Sequence, residues 1–150
     1  YEGVLKEAIH CFKYDGIKRI GKELGKLLSS VAPPEIDLLI PVPLHKNKLR
    51  KREFNQSAIL AKQYADAWDI PVKLTLLIKV KDTKDQASVE GKDRFNNVKN
   101  AYAATGLVKG IKVGLVDDVV TTGATLMECA KVLKKAGVKE VHGITLASAI

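Results

Sequence analysis

Ten consecutive residues in the last third of the chain carry its densest chemistry: Val116, Asp117, Asp118, Val119, Val120, Thr121, Thr122, Gly123, Ala124 and Thr125. An apolar run enters two adjacent carboxylates and leaves through a turn of small and hydroxyl residues that opens a helix. A helix start has backbone N–H groups without intrahelical partners and the positive end of the helix dipole, so a phosphate monoester fits there. Thr121, Thr122 and Thr125 add hydroxyl donors, and Gly123 lets the backbone come close to a ligand with no side chain in the way. Carboxylates beside a phosphate cradle look misplaced until a second ligand group is considered. Two acceptors suit a pair of vicinal hydroxyls such as those of a ribose. The plain alternative makes Asp117 and Asp118 helix caps and the threonines ordinary turn residues, but a cap needs one such residue and the whole string is more than that.

The residues must be positioned by a strand before them and a helix after. Residues 111–116 read as the strand, 117–123 as the turn, and 124–136 as a helix with Leu126, Cys129, Ala130 and Leu133 inward, stopped by Gly137. Residues 140–147 return as a strand. Upstream, Val4, Leu5, Ala8, Ile9 and Phe12 are spaced as a short helix, and Ile17, Ile20, Leu24, Leu27 and Leu28 as a second with one apolar stripe. Pro33 and Pro34 close that section. Residues 36–40 read as a buried strand, followed by a basic loop (Lys46, Lys48, Arg50, Lys51, Arg52) and a helix over 56–68 whose stripe is Ala58, Ala61, Tyr64, Ala65 and Trp68. Residues 72–80 are apolar and β-branched enough for another strand, while 81–100 carry many charges without a period and read as a long mobile loop. Strands alternating with helices imply an α/β fold: a mostly parallel twisted sheet with helices on both faces, binding ligands beyond the carboxyl ends of its strands. The phosphate-fitting loop lies at such an end.

At 150 residues with 46% hydrophobic content, the chain has enough material for one substantial core, and a single domain is expected. The longest apolar run, residues 38–44, is interrupted by Pro41 and Pro43, so no membrane insertion is expected. The opening residues lack the order of a secretory signal, and a trimmed N-terminus is expected. Cys11 and Cys129 are far apart and have no CxxC neighbour, so no metal site is predicted directly; both read as buried thiols in a reducing, cytoplasmic setting. A formal charge of +8 and a pI near 9.5 predispose the molecule toward polyanions, either a pyrophosphate-bearing substrate or nucleic acid. His10 and His142 read as packing or surface residues, Trp68 as a core residue ending its helix, and Tyr102 as strand-edge packing.

The apolar strand, the acid pair and the VVTTGAT turn resemble the motif that binds 5-phosphoribosyl-1-pyrophosphate (PRPP) in type I phosphoribosyltransferases. Phe12, Lys13 and Tyr14, then residues 41–44 with the basic run, then Arg52, Glu53, Phe54, Asn55 and Gln56, then Gln86, Arg94, Asn97, Ala101 and Tyr102 narrow the resemblance to the ComF family. It implies the type I phosphoribosyltransferase fold, with residues 1–35 as a helical hood-like segment and 36–150 as the core. It also implies that Asp117 and Asp118 hold the ribose hydroxyls and form the catalytic pair, and that Thr121, Thr122, Gly123, Ala124 and Thr125 hold the 5-phosphate. The turn after the first strand would face the pyrophosphate through His45 and Lys46. A flexible loop would bring Lys81, Lys84 and Arg94 to the leaving group, and Mg2+ would accompany PRPP. Two departures stand out. Glu53 occupies a position where ComF proteins commonly have glycine, and the cysteine-rich zinc module that commonly precedes the domain would lie upstream.

Three functional readings follow from the resemblance and the charge. One is Mg2+-dependent phosphoribosyl transfer to an unidentified acceptor, by loss of pyrophosphate through an oxocarbenium-like state without a covalent nucleophile; nucleobase salvage is the variant that would need a base-stacking hood. The second is a PRPP-binding competence factor in natural transformation, with a DNA-uptake helicase as partner. The third is binding of single-stranded DNA by residues 46–52 and the lysine-rich loop, without turnover. A homodimer is compatible with all three.

Overall fold

The computed structural model describes residues 3–14, 18–84 and 93–148. In chain order its elements are α1 (Gly3–Tyr14), α2 (Lys18–Ser29), β1 (Leu38–Pro41), α3 (Lys46–Arg52), α4 (Gln56–Trp68), β2 (Leu77–Lys79), α5 (Asp93–Val98), β3 (Tyr102–Ala104), β4 (Lys112–Val120), α6 (Ala124–Lys135) and β5 (Glu140–Ser148). The main sheet is parallel, in the order β1-β4-β5, with Pro41 opposite Val116 and Val116 opposite Ile144. A small antiparallel sheet pairs β2 with β3, setting Lys79 opposite Tyr102. The α/β fold with a mostly parallel sheet and helices on both faces is as expected.

Alternation along the buried strands divides the core between the two faces of the sheet. Leu38, Ile40, Val113 and Leu115 pack with Cys129 and Leu133 of α6 and with Leu77 and Tyr102 of the small sheet. Leu39, Val116 and Ile144 pack with Ile9 and Phe12 of α1, Leu24 and Leu28 of α2, and Leu60, Ala61 and Tyr64 of α4. Phe12 is fully buried with its ring 5.6 Å from that of Phe54, and it nests against Gly21, where a Cβ would lie 2.7 Å from Phe12 Cε2. The two N-terminal helices are therefore built into the core.

Several elements differ from the sequence expectation, each for a local reason. The basic stretch is helix α3, because His45 caps its start through Nδ1, which accepts from Asn47 N, and Arg50, Lys51 and Arg52 complement the negative end of its dipole. β4 continues through both acids to Val120, since β5 provides partners as far as Val120 opposite Ser148. The expected strand over 72–80 divides into an isolated bridge from Leu39 to Val72 and the short β2. Within the expected loop, residues 93–98 form α5, while 85–92, including Gln86, lie outside the described residues. Trp68 ends α4 at the surface, 40% exposed, with Nε1 donating to Ser29 O at 3.2 Å. Cys129 is buried, whereas Cys11 is only partly so. The C-terminus of α6 is as expected: Gly137 at φ 100° donates to Lys134 O and Val138 donates to Leu133 O, which closes the helix.

Glu53 caps the end of α3 at φ 65°, a conformation that costs a residue with a Cβ about 1 kcal/mol relative to glycine. Glu53→Gly is predicted to raise stability by about 0.5–1 kcal/mol, seen as a higher denaturation midpoint at unchanged slope. An unchanged or lower midpoint would show that the Glu53 side chain compensates for its backbone.

Candidate functional site

β4 and α6 form one wall of a cleft of about 210 Å³. Between them Gly123 sits at φ 76° as the N-cap of α6, and a Cβ there would meet nothing within 4 Å, so conformation and not space requires the glycine. Having no side chain, Gly123 gives α6 no side-chain cap bond. Thr122 Oγ1 accepts from Ala124 N at 3.4 Å, a long contact that a better acceptor can replace. Thr121, Thr122, Gly123, Ala124 and Thr125 all line the cleft. The helix start is thus open to an anion, as its dipole favours.

Asp117 and Asp118 line the same cleft, one strand-end away. Asp117 Oδ1 accepts from Ser57 Oγ of α4 and from the Asp118 amide, each at 2.9 Å. Asp118, 6% exposed, forms an ion pair with Lys13 Nζ of α1 at 2.8 Å. Burial, and then the neighbouring charge of Asp118, push the Asp117 carboxyl up to about 7 against the opposing influence of Lys13 and the two hydrogen bonds.

Facing the acids is a bank of bases. Lys48 and Arg52, one helical turn apart on α3, line the cleft together with Lys79 of β2, Lys84 and Lys13, so five basic side chains meet two carboxylates. Tyr102 of β3 lies among them. It is buried and shares the cleft lining with Thr125, burial pushes the pKa of its phenol up, and Lys79 Nζ stands 5.3 Å from its ring centroid.

Among the residues singled out from the sequence, the cleft gathers both acids, Thr121 to Thr125 and Lys84. It does not gather His45, Lys46, Lys81 or Arg94. His45 is buried at the start of α3, where its Nδ1 accepts from Asn47 N at 3.3 Å and lies 3.5 Å from Asp82 Oδ1. Lys46 is exposed at the first position of α3, Lys81 Nζ donates to Lys99 O at 3.2 Å, and Arg94 is on α5. Lys13, Lys48, Arg52, Ser57, Lys79 and Tyr102 were not anticipated as cleft residues. A helical period through the basic run could have separated Lys48 and Arg52 from their neighbours; Lys13 arrives from a distant helix and left no such signal.

Comparison with known proteins agrees with this geometry. The phosphoribosyl transferase domain family matches residues 55–150, which include the acid pair and the open helix start. The chain belongs to that family. Its resemblance to ComF proteins also holds: Competence protein F of Haemophilus influenzae is 39% identical over 116 residues, covering 75% of this chain and 51% of that protein. DNA utilization protein YhgH of Salmonella typhi is 31% identical over 154 residues, covering 95% of this chain and 66% of that one. The chain therefore spans between about half and two thirds of these relatives' length. Among solved structures, the glutamine phosphoribosylpyrophosphate amidotransferase from B. subtilis superposes with a TM-score of 0.58 at 28% identity, over 84% of this chain and 26% of that one.

Because the folded state holds the Asp117 proton to a higher pH than the unfolded chain does, native stability is predicted to fall as pH rises from about 4 to about 7. Asp117→Asn keeps an oxygen to accept from Ser57 and the Asp118 amide but has no proton to lose. Thermal unfolding between pH 4 and 8 should show the variant gaining on the wild type as pH rises. Parallel curves would mean that Asp117 ionises without penalty.

Proposed function

We propose that this domain binds PRPP with Mg2+ and acts as a phosphoribosyltransferase, displacing pyrophosphate from the ribose. The reading rests on one juxtaposition: a glycine-led helix start, a carboxylate pair and a basic wall sharing a single cleft. A phosphate monoester fits the helix start, vicinal hydroxyls fit the acids, and a pyrophosphate fits the bases, so a ligand carrying all three in that order satisfies the whole site. Family membership supports the same choice.

In this reading Thr121 to Thr125 hold the 5-phosphate and Asp117 and Asp118 hold the ribose hydroxyls. Lys48, Arg52, Lys79 and Lys84 hold the pyrophosphate and neutralise the charge that builds on it as the C1–O bond breaks. His45 acts through α3, fixing the helix that presents Lys48 and Arg52. Lys46, Lys81 and Arg94 would reach the pyrophosphate only by closing over it. Among the described residues no cluster of three or more His, Cys, Asp or Glu could cage a metal ion. Mg2+ is commonly carried by substrate phosphates with few protein ligands, and Asp117 and Asp118 are the carboxylates of the cleft that it would meet. When bound, Mg2+ offsets negative charge on the departing pyrophosphate.

The names of the relatives, Competence protein F and DNA utilization protein YhgH, support a setting in DNA uptake and natural transformation, where a DNA-uptake helicase is a candidate partner. One feature favours an accompanying affinity for single-stranded DNA. α3 divides its charge, with Lys48 and Arg52 lining the cleft and Lys46, Arg50 and Lys51 exposed outside it. If the outer set tracks a nucleic-acid backbone, replacing Arg50 and Lys51 by Ala should flatten the plot of log affinity against log salt by roughly 1.4 for a single strand, without changing PRPP affinity. An unaltered slope, or no binding at low salt, would remove the DNA reading and leave the PRPP reading intact.

The PRPP reading has its own test. Asp117→Asn combined with Asp118→Asn should weaken PRPP–Mg2+ binding in calorimetry by about 100-fold or more, from the loss of charge-assisted hydrogen bonds, while the circular dichroism spectrum is retained. Unaltered affinity in the folded double variant would refute the assignment.

A further inference from the structure

Lys13 belongs to the N-terminal helical segment, yet its Nζ lies 2.8 Å from Asp118 Oδ1 at the floor of the cleft. We propose that Lys13 is a positioning residue for sugar recognition: α1 completes the ribose subsite by holding Asp118 in the orientation that accepts ribose hydroxyls. This rests on the PRPP reading and adds to it a role for a residue outside the motif and outside the matched family segment of residues 55–150.

The two acids are served by adjacent residues at the start of α4. Ser57 donates to Asp117 directly. Gln56, 2% exposed, donates through Nε2 to the carbonyls of Phe12 and Lys13, each at 3.4 Å, and so fixes the end of α1 from which Lys13 reaches Asp118. Asn55, just before them, accepts from Ser57 N at 3.0 Å and donates to Val42 O at 3.0 Å, tying this start of α4 to the end of β1. Both carboxylates are thus oriented from one short stretch of backbone, Asp117 at first hand and Asp118 by way of α1.

A simpler role for the ion pair would be to fasten α1 to the core. That fastening exists without it: Phe12 is fully buried, packs on Phe54, and occupies the space left by Gly21. Lys13 also keeps 23% of its side chain exposed in the cleft, where a ligand can approach it. A second simpler role, a plug that the ligand must expel, predicts the opposite effect of removing the charge.

The test compares ribose 5-phosphate with 2-deoxyribose 5-phosphate by calorimetry in the wild type, Lys13→Met, Lys13→Gln and Lys13→Arg, with inorganic pyrophosphate as a control for an intact cleft. The wild type is expected to prefer the ribose by roughly tenfold, the worth of a hydrogen bond to a charged acceptor. The neutral variants should lose most of that preference while still binding pyrophosphate, and Lys13→Arg should retain it. A preference that survives in a folded neutral variant, or tighter ribose 5-phosphate binding there, overturns the role of Lys13 and leaves the PRPP reading standing. Absence of any preference in the wild type overturns the ribose assignment of the acids itself, and the role of Lys13 with it.

Discussion

Two carboxylates on consecutive residues, at the end of the central strand of a parallel sheet, repel each other and give up hydration together, and the rest of the site is organised around that cost. An unpaired buried carboxylate costs several kcal/mol, so each oxygen needs a partner or a proton. Asp117 has a hydroxyl from α4, a backbone amide, and a raised proton affinity; Asp118 has a lysine from α1. Such expense is ordinarily met where a ligand repays it.

The same strand end also sets the sign of its surroundings. One turn beyond the acids the chain must reverse into α6, and a glycine at φ 76° makes that turn while offering the helix no side-chain cap of its own. A region favouring hydrogen-bond donors therefore adjoins one favouring anions within a single cleft. Across from both, Lys48, Arg52, Lys79 and Lys84 add positive charge drawn from α3, β2 and the segment after it. Few small molecules combine adjacent hydroxyls with phosphate groups on either side, and a phosphorylated, pyrophosphorylated pentose is one.

The parts of this arrangement that lie within a single continuous stretch could be read from the amino acids. Asp117 to Thr125 carry their chemistry in residue type and order, and Gly137 marks the end of α6 by the same local logic. The parallel sheet followed from alternating periods. What escaped was whatever depends on distant partners. β4 runs through the acids because β5 lies alongside, which nothing in residues 117–120 reveals. The basic run became a helix with two faces once His45 capped it, and only then did Lys48 and Arg52 part from Arg50 and Lys51. Lys13 joins the cleft from the far end of the sequence and Tyr102 from a strand of the other, smaller sheet, both through tertiary packing. At Glu53 the chain adopts a positive φ without a glycine, which the residue type alone does not reveal.

A crystal structure with PRPP and Mg2+ bound would test the central claim most directly. The account predicts the 5-phosphate ringed by the amides and hydroxyls of Thr121 to Thr125, the ribose hydroxyls on Asp117 and Asp118, and the pyrophosphate toward Lys48 and Arg52. A 5-phosphate bound elsewhere, or acids still holding only their partners within the protein while PRPP occupies another surface, would contradict it.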